Sequence, residues 1–344
     1  MDDGWLWFDF ENTPHVLFLE PLLRRMVERG RQIRITAKPQ SQTLELADAR
    51  GLEITRVGSG GHKGLVQKLW GGVGRSVGLV AWVMKDRRPQ LLVSSSRTAS
   101  LAALVLGIPA IGLLDYEHSE HRAIALACRS LWLPDLLRDV KLPAPSKRIA
   151  RYYAGLKENL YLDSWPVNRE AERLAIGVGS ADYFVVARPP AETAHYGSEV
   201  SGRLFYAAVA GLLQRPEVHM IIVPRTAEQR REVLQAVDGP RAHILDHAVA
   251  GPSLVGASDL VLSGGGTMNR EAAVLGVPAW SVFAGPTPYI DETLASEGRL
   301  RWVRTDVELT AALAAPLPKR LGARGPFPEG IAAILADIET CLRA

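Results

Sequence analysis

Strand-like and helix-like segments alternate along this chain, lose their rhythm near residue 143 and take it up again at 183. This double alternation constrains the fold more than any other feature. Short apolar runs separated by helical stretches are built as right-handed crossovers onto a mostly parallel sheet. In the first half the strands are read at Trp5–Phe10, 32–36, 54–57, Leu91–Ser94 and 110–114. Helices are read from the loop Glu11-Asn12-Thr13-Pro14-His15 to Glu28, then over 43–49, 65–85 and Arg97–Leu106. Gly30 and Gly51 stand where helix C-caps belong.

Pro143, Pro145 and Pro166 punctuate the connection. The second half offers strands at 183–187, 219–223, 243–245, 260–262 and 279–283, with helices at 202–213, Ala227–Ala236, a short one around 254–256, and 267–275. A last helix is read at 331–342. The 344 residues exceed the roughly 250–300 that one hydrophobic core fills. The expectation is therefore two Rossmann-like α/β domains, 1–163 and 164–325, whose parallel sheets face an interdomain cleft. The tail 326–344 packs back on the first domain in this reading. Ligands of such sheets bind beyond the carboxyl ends of the strands.

Forty Lys+Arg against 37 Asp+Glu give a net +3, which excludes a polybasic arm or an acidic tail and argues against a nucleic-acid partner. Arg supplies 32 of the 40 cations, a skew that fits phosphate recognition and equally the codon bias of a GC-rich genome. Cys128 and Cys341 cannot build a disulfide framework or a four-thiolate zinc site. The acidic start lacks the basic and apolar regions of a secretory signal. The apolar stretch 99–114 is broken by Gly107 and Pro109 and falls short of the ~20 residues of a membrane helix. These features predict a soluble, cytoplasmic protein.

The densest chemical signal is Ser263-Gly264-Gly265-Gly266-Thr267, at a strand-to-helix junction, with Glu271 four residues on. Glycines let backbone N–H groups approach an anion, and the helix start adds about half a positive charge. Thr267 is placed to cap the helix and to donate to a phosphate oxygen. Glu271, one turn further, can accept from both hydroxyls of a ribose whose diphosphate rests on the loop. A tight turn before an ordinary capped helix would use the same letters.

The stretch Ser263-Gly264-Gly265-Gly266-Thr267-Met268-Asn269-Arg270-Glu271 and onward to Pro278 resembles the nucleotide-binding segment of GT-B-fold enzymes. Among these are nucleotide-sugar glycosyltransferases and the non-hydrolysing UDP-N-acetylglucosamine 2-epimerases. Over nearly its whole length the chain resembles still more an archaeal and bacterial family of unknown function. The likeness is carried by Thr13-Pro14-His15-Val16, Asp115-Tyr116-Glu117-His118, Tyr153-Ala154-Gly155-Leu156-Lys157-Glu158, Arg188-Pro189-Pro190 and Ala194-His195-Tyr196. It implies a GT-B fold, a nucleotide-diphosphate sugar (UDP-linked) as substrate with no separate cofactor, and an acceptor hydroxyl. It further implies that Gly264, Gly265, Gly266 and Thr267 hold the diphosphate and Glu271 the ribose. The epimerases carry His-Arg-Arg-Glu-Asn after the first strand of their second half. Here Arg188-Pro189-Pro190 occupies that place and His195 lies several positions on.

The remaining candidates are single residues at strand ends. His15 at the start of the first helix suits a base with a pKa lowered by the helix, or a packed histidine. Asn12 is placed to orient His15 or the acceptor. Asp115 and Glu117 emerge from a buried strand and suit acid/base work or hydroxyl recognition, although acidic caps are routine there. His118 and His121 with Glu117 make too small a set for a metal, and none is expected. Arg188 would neutralise a departing diphosphate, with Arg225 a weaker copy. Thr287-Pro288-Tyr289-Ile290-Asp291 is placed to touch the sugar. The loop 58–64 brings His62 and Lys63 over the acceptor. Along 65–85, Trp70, Val73, Val77, Val80 and Trp82 mix with Lys68, Arg75 and Lys85. That mixture reads either as peripheral contact with an anionic membrane or as a core-facing helix with its cations in solvent.

The first expectation is thus a metal-independent glycosyltransferase, with His15, Glu117 or Asp115 as base. An epimerase-like enzyme is the alternative.

Overall fold

The computed structural model describes residues 4–39, 41–59, 65–117, 121–190, 196–237, 239–245 and 251–343. The chain forms two units, Met1–Tyr161 with Phe327–Ala344, and Leu162–Pro326.

In the first unit β1 (Trp5–Phe10) and α1 (Thr13–Glu28) lead into β2 (Gln32–Ala37), α2 (Ser41–Ala49) and β3 (Ile54–Arg56). Next come α3 (Leu65–Val83), β4 (Leu91–Ser94), α4 (Arg97–Leu106), β5 (Ala110–Leu113) and α5 (His121–Ala127). The unit continues through β6 (Cys128–Pro134), α6 (Ala144–Ile149), β7 (Ala150–Tyr153) and α7 (Asn159–Leu162). The strands lie parallel in the order β3-β2-β1-β4-β5-β6-β7. The order reverses between β1 and β4, and this is where open α/β sheets bind ligands. Strands β6 and β7 extend the sheet beyond the five read from sequence.

The second unit repeats the plan with α8 (Arg169–Ala175), β8 (Tyr183–Arg188), α9 (Tyr196–Leu213), β9 (Val218–Ile222), α10 (Ala227–Ala236) and β10 (Ala242–Ile244). It continues with α11 (Gly251–Ala257), β11 (Leu260–Ser263), α12 (Thr267–Val274), β12 (Ala279–Ser281), α13 (Tyr289–Ser296), β13 (Leu300–Trp302) and α14 (Asp306–Ala314). All pairs are parallel in the order β10-β9-β8-β11-β12-β13, with the reversal between β8 and β11. Successive β8 residues serve opposite cores, as the period of a strand requires. Val185 and Ala187 join Leu262 and Phe205, whereas Phe184 and Val186 join Val261 and Ala272.

The chain then returns to the first unit as α15 (Pro328–Arg343). Ile334, Leu335 and Ile338 are buried there. Asp337 accepts from Ser130 Oγ and from Trp132 Nε1 at 2.8 Å, and Arg31 meets Glu339 at 3.0 Å.

Helix α3 corrects one expectation. Arg75 does not face solvent: it is 2% exposed and pairs with Asp9 of β1. Nη2 meets Oδ1 at 2.7 Å and Nη1 meets Oδ2 at 3.1 Å. Nη1 also reaches Ser96 Oγ at 3.2 Å and Thr98 Oγ1, while Nε bonds the Val57 carbonyl at 3.2 Å. Thr36 Oγ1 donates to Asp9 at 2.6 Å and accepts from Trp7 Nε1 at 2.7 Å. Every polar partner is used, which is what keeps a buried charge pair tolerable. Gly58 makes the room, since a Cβ there would lie 2.9 Å from Arg75 Cγ. Trp82 also turns inward, 5.5 Å from the Trp5 ring and 5.8 Å from Trp7. Val73 and Val77 face outward. The Lys68 and Trp70 side chains, and His62 and Lys63, lie outside the description.

Candidate functional site

Each unit gathers polar side chains at the carboxyl edge of its sheet, beside the reversal of strand order.

In the first unit β1 ends at Phe10, and the turn Glu11-Asn12 feeds α1. Asn12 holds the N-cap position in extended conformation, exposed, and its side chain does not cap the helix. His15 is 9% exposed, stacked edge-on against Phe18 with ring centroids 5.6 Å apart. The Glu11 N–H donates to its Nδ1 at 3.3 Å. Burial pushes the imidazole down to about 4; Lys157 and Arg75 add to the depression, and Asp9 and Asp115 oppose it. The ring is therefore neutral at pH 7. With Nδ1 accepting, its proton sits on Nε2.

The loop after β5 presents Asp115 and Glu117, both partly buried. Asp115 accepts from Lys157 Nζ, and Lys157 lies 3.6 Å from Glu158 as well. Lys157 and Glu158 are buried and follow the Gly155 turn beyond β7. Asn159 Oδ1 fixes that turn by accepting from the Leu156 N–H at 3.0 Å. The structure thus assembles His15, Asp115 and Lys157 from three strand ends. Lys157 was quoted in a motif but given no role from sequence, because its partner lies 42 residues away and nothing local marks it. His121 is buried, with Nε2 2.9 Å from the Tyr116 carbonyl; His118 lies outside the described residues. No group of three metal-ligating side chains forms among the described residues.

In the second unit Arg188 and Ser263 are register partners at the ends of β8 and β11. Gly265 and Gly266 adopt φ of +90° and +86°, which side-chain-bearing residues rarely reach. Gly264 is needed for space: a Cβ there would sit 2.4 Å from Pro190 Cα. Gly266, not Thr267, is the N-cap of α12, so the capping position itself supplies no side-chain acceptor to the first N–H groups of that helix. Thr267 is its first residue.

Ser263 Oγ accepts from the Gly265 N–H at 3.1 Å and donates to Asn269 Oδ1 at 2.7 Å. That leaves Asn269 Nδ2, wholly buried, with no hydrogen-bond acceptor among the described residues. Arg188 Nε is in the same position. Burial lowers the Arg188 pKa, and the charge of buried Glu271 opposes that shift. Arg225, beyond β9, is pushed down to about 10 by burial and then by the positive charge of Arg188. Arg225 Nε bonds the Pro189 carbonyl at 3.3 Å, and Gln229 Nε2 bonds the Pro190 carbonyl at 2.7 Å. The segments that follow β8 and β9 are thereby tied together. Arg304 Nη1 reaches Thr287 Oγ1 at 3.3 Å, which ties the 287–291 segment to β13. His195 lies outside the described residues.

Asn269 and Lys157 escaped the sequence reading. Asp9 was legible in principle, as a lone acid inside the run Trp5-Leu6-Trp7-Phe8-Asp9-Phe10.

A family model described as "Protein of unknown function (DUF354)" matches residues 5–320. The uncharacterized protein MJ0665 of Methanocaldococcus jannaschii is 23% identical over 330 residues, covering 92% of this chain and 93% of its own. Among solved structures, a UDP-GlcNAc 2-epimerase from Neisseria meningitidis bound to UDP-GlcNAc superposes with a TM-score of 0.74. It shares 14% identity, over 98% of this chain and 100% of that one. The spinosyn forosaminyltransferase SpnP gives 0.61 at 14% identity, over 98% and 95%.

Proposed function

The chain belongs to the DUF354 family and has the GT-B fold, and from that premise we propose that it is an enzyme acting on a nucleoside-diphosphate sugar. The carrying observation is the excess of donors at the glycine loop. Arg188 Nε and Asn269 Nδ2 are buried with no acceptor among the described residues, Arg225 stands beside Arg188, and α12 begins at a glycine N-cap that offers no side-chain acceptor. A diphosphate supplies the missing acceptors and negative charge in one group. Glu271 then serves the ribose.

The reaction is transfer to an acceptor hydroxyl. Glu117 takes the hydroxyl proton as the acceptor oxygen bonds to the sugar C1. The bond from C1 to the diphosphate breaks, and Arg188 with the helix start receives the leaving charge. His15, with its proton on Nε2, orients an oxygen of sugar or acceptor by donating to it. Asp115, held by Lys157, positions rather than accepts. No metal or cofactor enters this scheme.

A screen of nucleoside diphosphates and nucleotide sugars by thermal shift tests the proposal. At a ligand concentration of ~100 Kd, binding stabilises by about 2.7 kcal/mol, a rise of roughly 5–10 °C. No shift with any nucleotide, or an undiminished shift in Glu271→Gln and Glu271→Ala, overturns it. Epimerisation is the second reading, supported by the fold likeness to UDP-GlcNAc 2-epimerases and the paired acids Asp115 and Glu117. Solvent deuterium entering C2 of the sugar without any acceptor would select it.

A further inference from the structure

Six large apolar side chains stand exposed on one helical layer of the first unit. They are Val73 and Val77 on α3, Met84 just beyond it, Leu104 and Val105 on α4, and Leu126 on α5. This is half of the exposed large apolar side chains among the described residues, so they are concentrated rather than scattered. Val105 is 76% exposed and Met84 72%. Four of the six lie where α3, α4 and α5 end, at the edge of the sheet away from His15.

The same layer lacks negative charge. Helices α3, α4, α5 and α6 contain no Asp or Glu, and Asp86 is the sole acid in the sequence between Leu65 and Leu114. Asp86 is itself paired with Arg34 at 2.7 Å. Exposed Lys85, Arg87 and Arg88 follow α3, Arg122 lies exposed on α5, and Lys147 and Arg148 on α6. Arg88 reaches the end of α4, its Nη2 3.2 Å from where a Gly107 Cβ would stand. On the opposite face, by contrast, α1, α2 and α15 each carry acids, among them Glu28, Asp48 and Glu329.

We propose that this layer rests on an anionic lipid surface, with Met84, Leu104, Val105 and Leu126 entering the headgroup boundary and Lys85, Arg87 and Arg88 meeting lipid phosphates. Exposed aliphatics flanked by cations and free of acids fit a lipid interface, which offers apolar and anionic contacts together. A nucleic acid would use the cations but not the aliphatics, and Trp82, the one aromatic side chain of this helix among the described ones, is packed against Trp5 and Trp7 rather than offered to a base. The contact is peripheral, since no helix among the described residues is long and apolar enough to cross a membrane. It is independent of the nucleotide site.

The test is flotation of the full chain with phosphatidylcholine vesicles, with and without phosphatidylglycerol. The wild type is expected to float with the anionic vesicles and not with the neutral ones, and to be released as salt rises from about 0.05 to 0.5 M. The Lys85→Glu/Arg87→Glu/Arg88→Glu variant should lose binding by at least about tenfold. Met84→Ser/Val105→Ser/Leu126→Ser should weaken it by a similar factor. All six substitutions are at exposed positions, and melting curves equal to the wild type's confirm the fold. Absence of wild-type flotation, equal flotation with neutral vesicles, undiminished binding by both variants, or capture of single-stranded RNA without flotation overturns the proposal.

Discussion

The backbone N–H of Glu11 donates to Nδ1 of His15 at 3.3 Å, which puts the proton of the neutral ring on Nε2. A histidine read from sequence as a base is thus presented as a donor. The same burial makes it a marker of pH. Its folded pKa of about 4 lies below the 6.5 of the unfolded chain, so the unfolded state takes up the proton first as pH falls. The stabilisation is complete above about 6.5, declines between 6.5 and 4, and amounts to roughly 3 kcal/mol for this group. His15→Gln, which does not titrate, should flatten that decline. Urea midpoints of both proteins across the window decide the matter, and parallel curves would refute it.

Asp9→Asn leaves Arg75 buried without its counter-charge and should cost about 3–5 kcal/mol of unfolding free energy. Adding Arg75→Met to it should recover more than 1 kcal/mol relative to the sum of the single losses, roughly the coupling of a close buried pair. Denaturant curves for the four proteins of the cycle measure this. Strict additivity would mean that the pair contributes nothing as a pair.

Gly264→Ala drives a methyl group into the rigid backbone of Pro190. A loss of about 1–3 kcal/mol in stability is expected, together with a smaller nucleotide-induced thermal shift. Gly202→Ala is the matched control, because a Cβ on that α9 residue meets nothing within 4 Å among the described residues. It should be neutral or stabilising by up to ~1 kcal/mol. Equal melting temperatures for the two variants would contradict the close approach.

Arg225→Met removes one of the two crowded cations. The dissociation constant for a nucleoside diphosphate is expected to rise about tenfold to a hundredfold, the worth of one charge-assisted hydrogen bond. Arg188→Met should do at least as much. Calorimetric titration of UDP gives both numbers. Unchanged affinity in both variants would remove the anion site from this edge of the sheet.

The alternation made β1 to β5 and β8 to β12 legible as short runs between helices; β1, β4, β5, β11 and β12 are buried throughout, whereas β3 and β10 are not and were marked only by their place in the rhythm. β6 was hidden because Cys128 follows Ala127 of α5 without a break, so no turn residue separates helix from strand. β7, Ala150-Arg151-Tyr152-Tyr153, is an edge strand in which only Tyr153 is fully buried, and it shows no apolar run. β13 has three residues, one of them Arg301. Arg75 had a usable signal: 75, 79 and 83 share a helical face, and Leu79 and Val83 are buried there. Charge outweighed period in that reading. At the site, the glycine loop was local and therefore visible, whereas the meeting of Lys157 with Asp115 depends on tertiary contact.

Helix α15 gives the chain an order of assembly. The second unit, Leu162–Pro326, is synthesised whole before Pro328–Arg343 leaves the ribosome, yet those sixteen residues supply partners to Arg31, Ser130 and Trp132. The half of the protein that is translated first is therefore the half that is finished last. Until then its sheet waits with the surface beneath α15 uncovered, and a stalled or clipped chain would release a sound second domain attached to an incomplete first one.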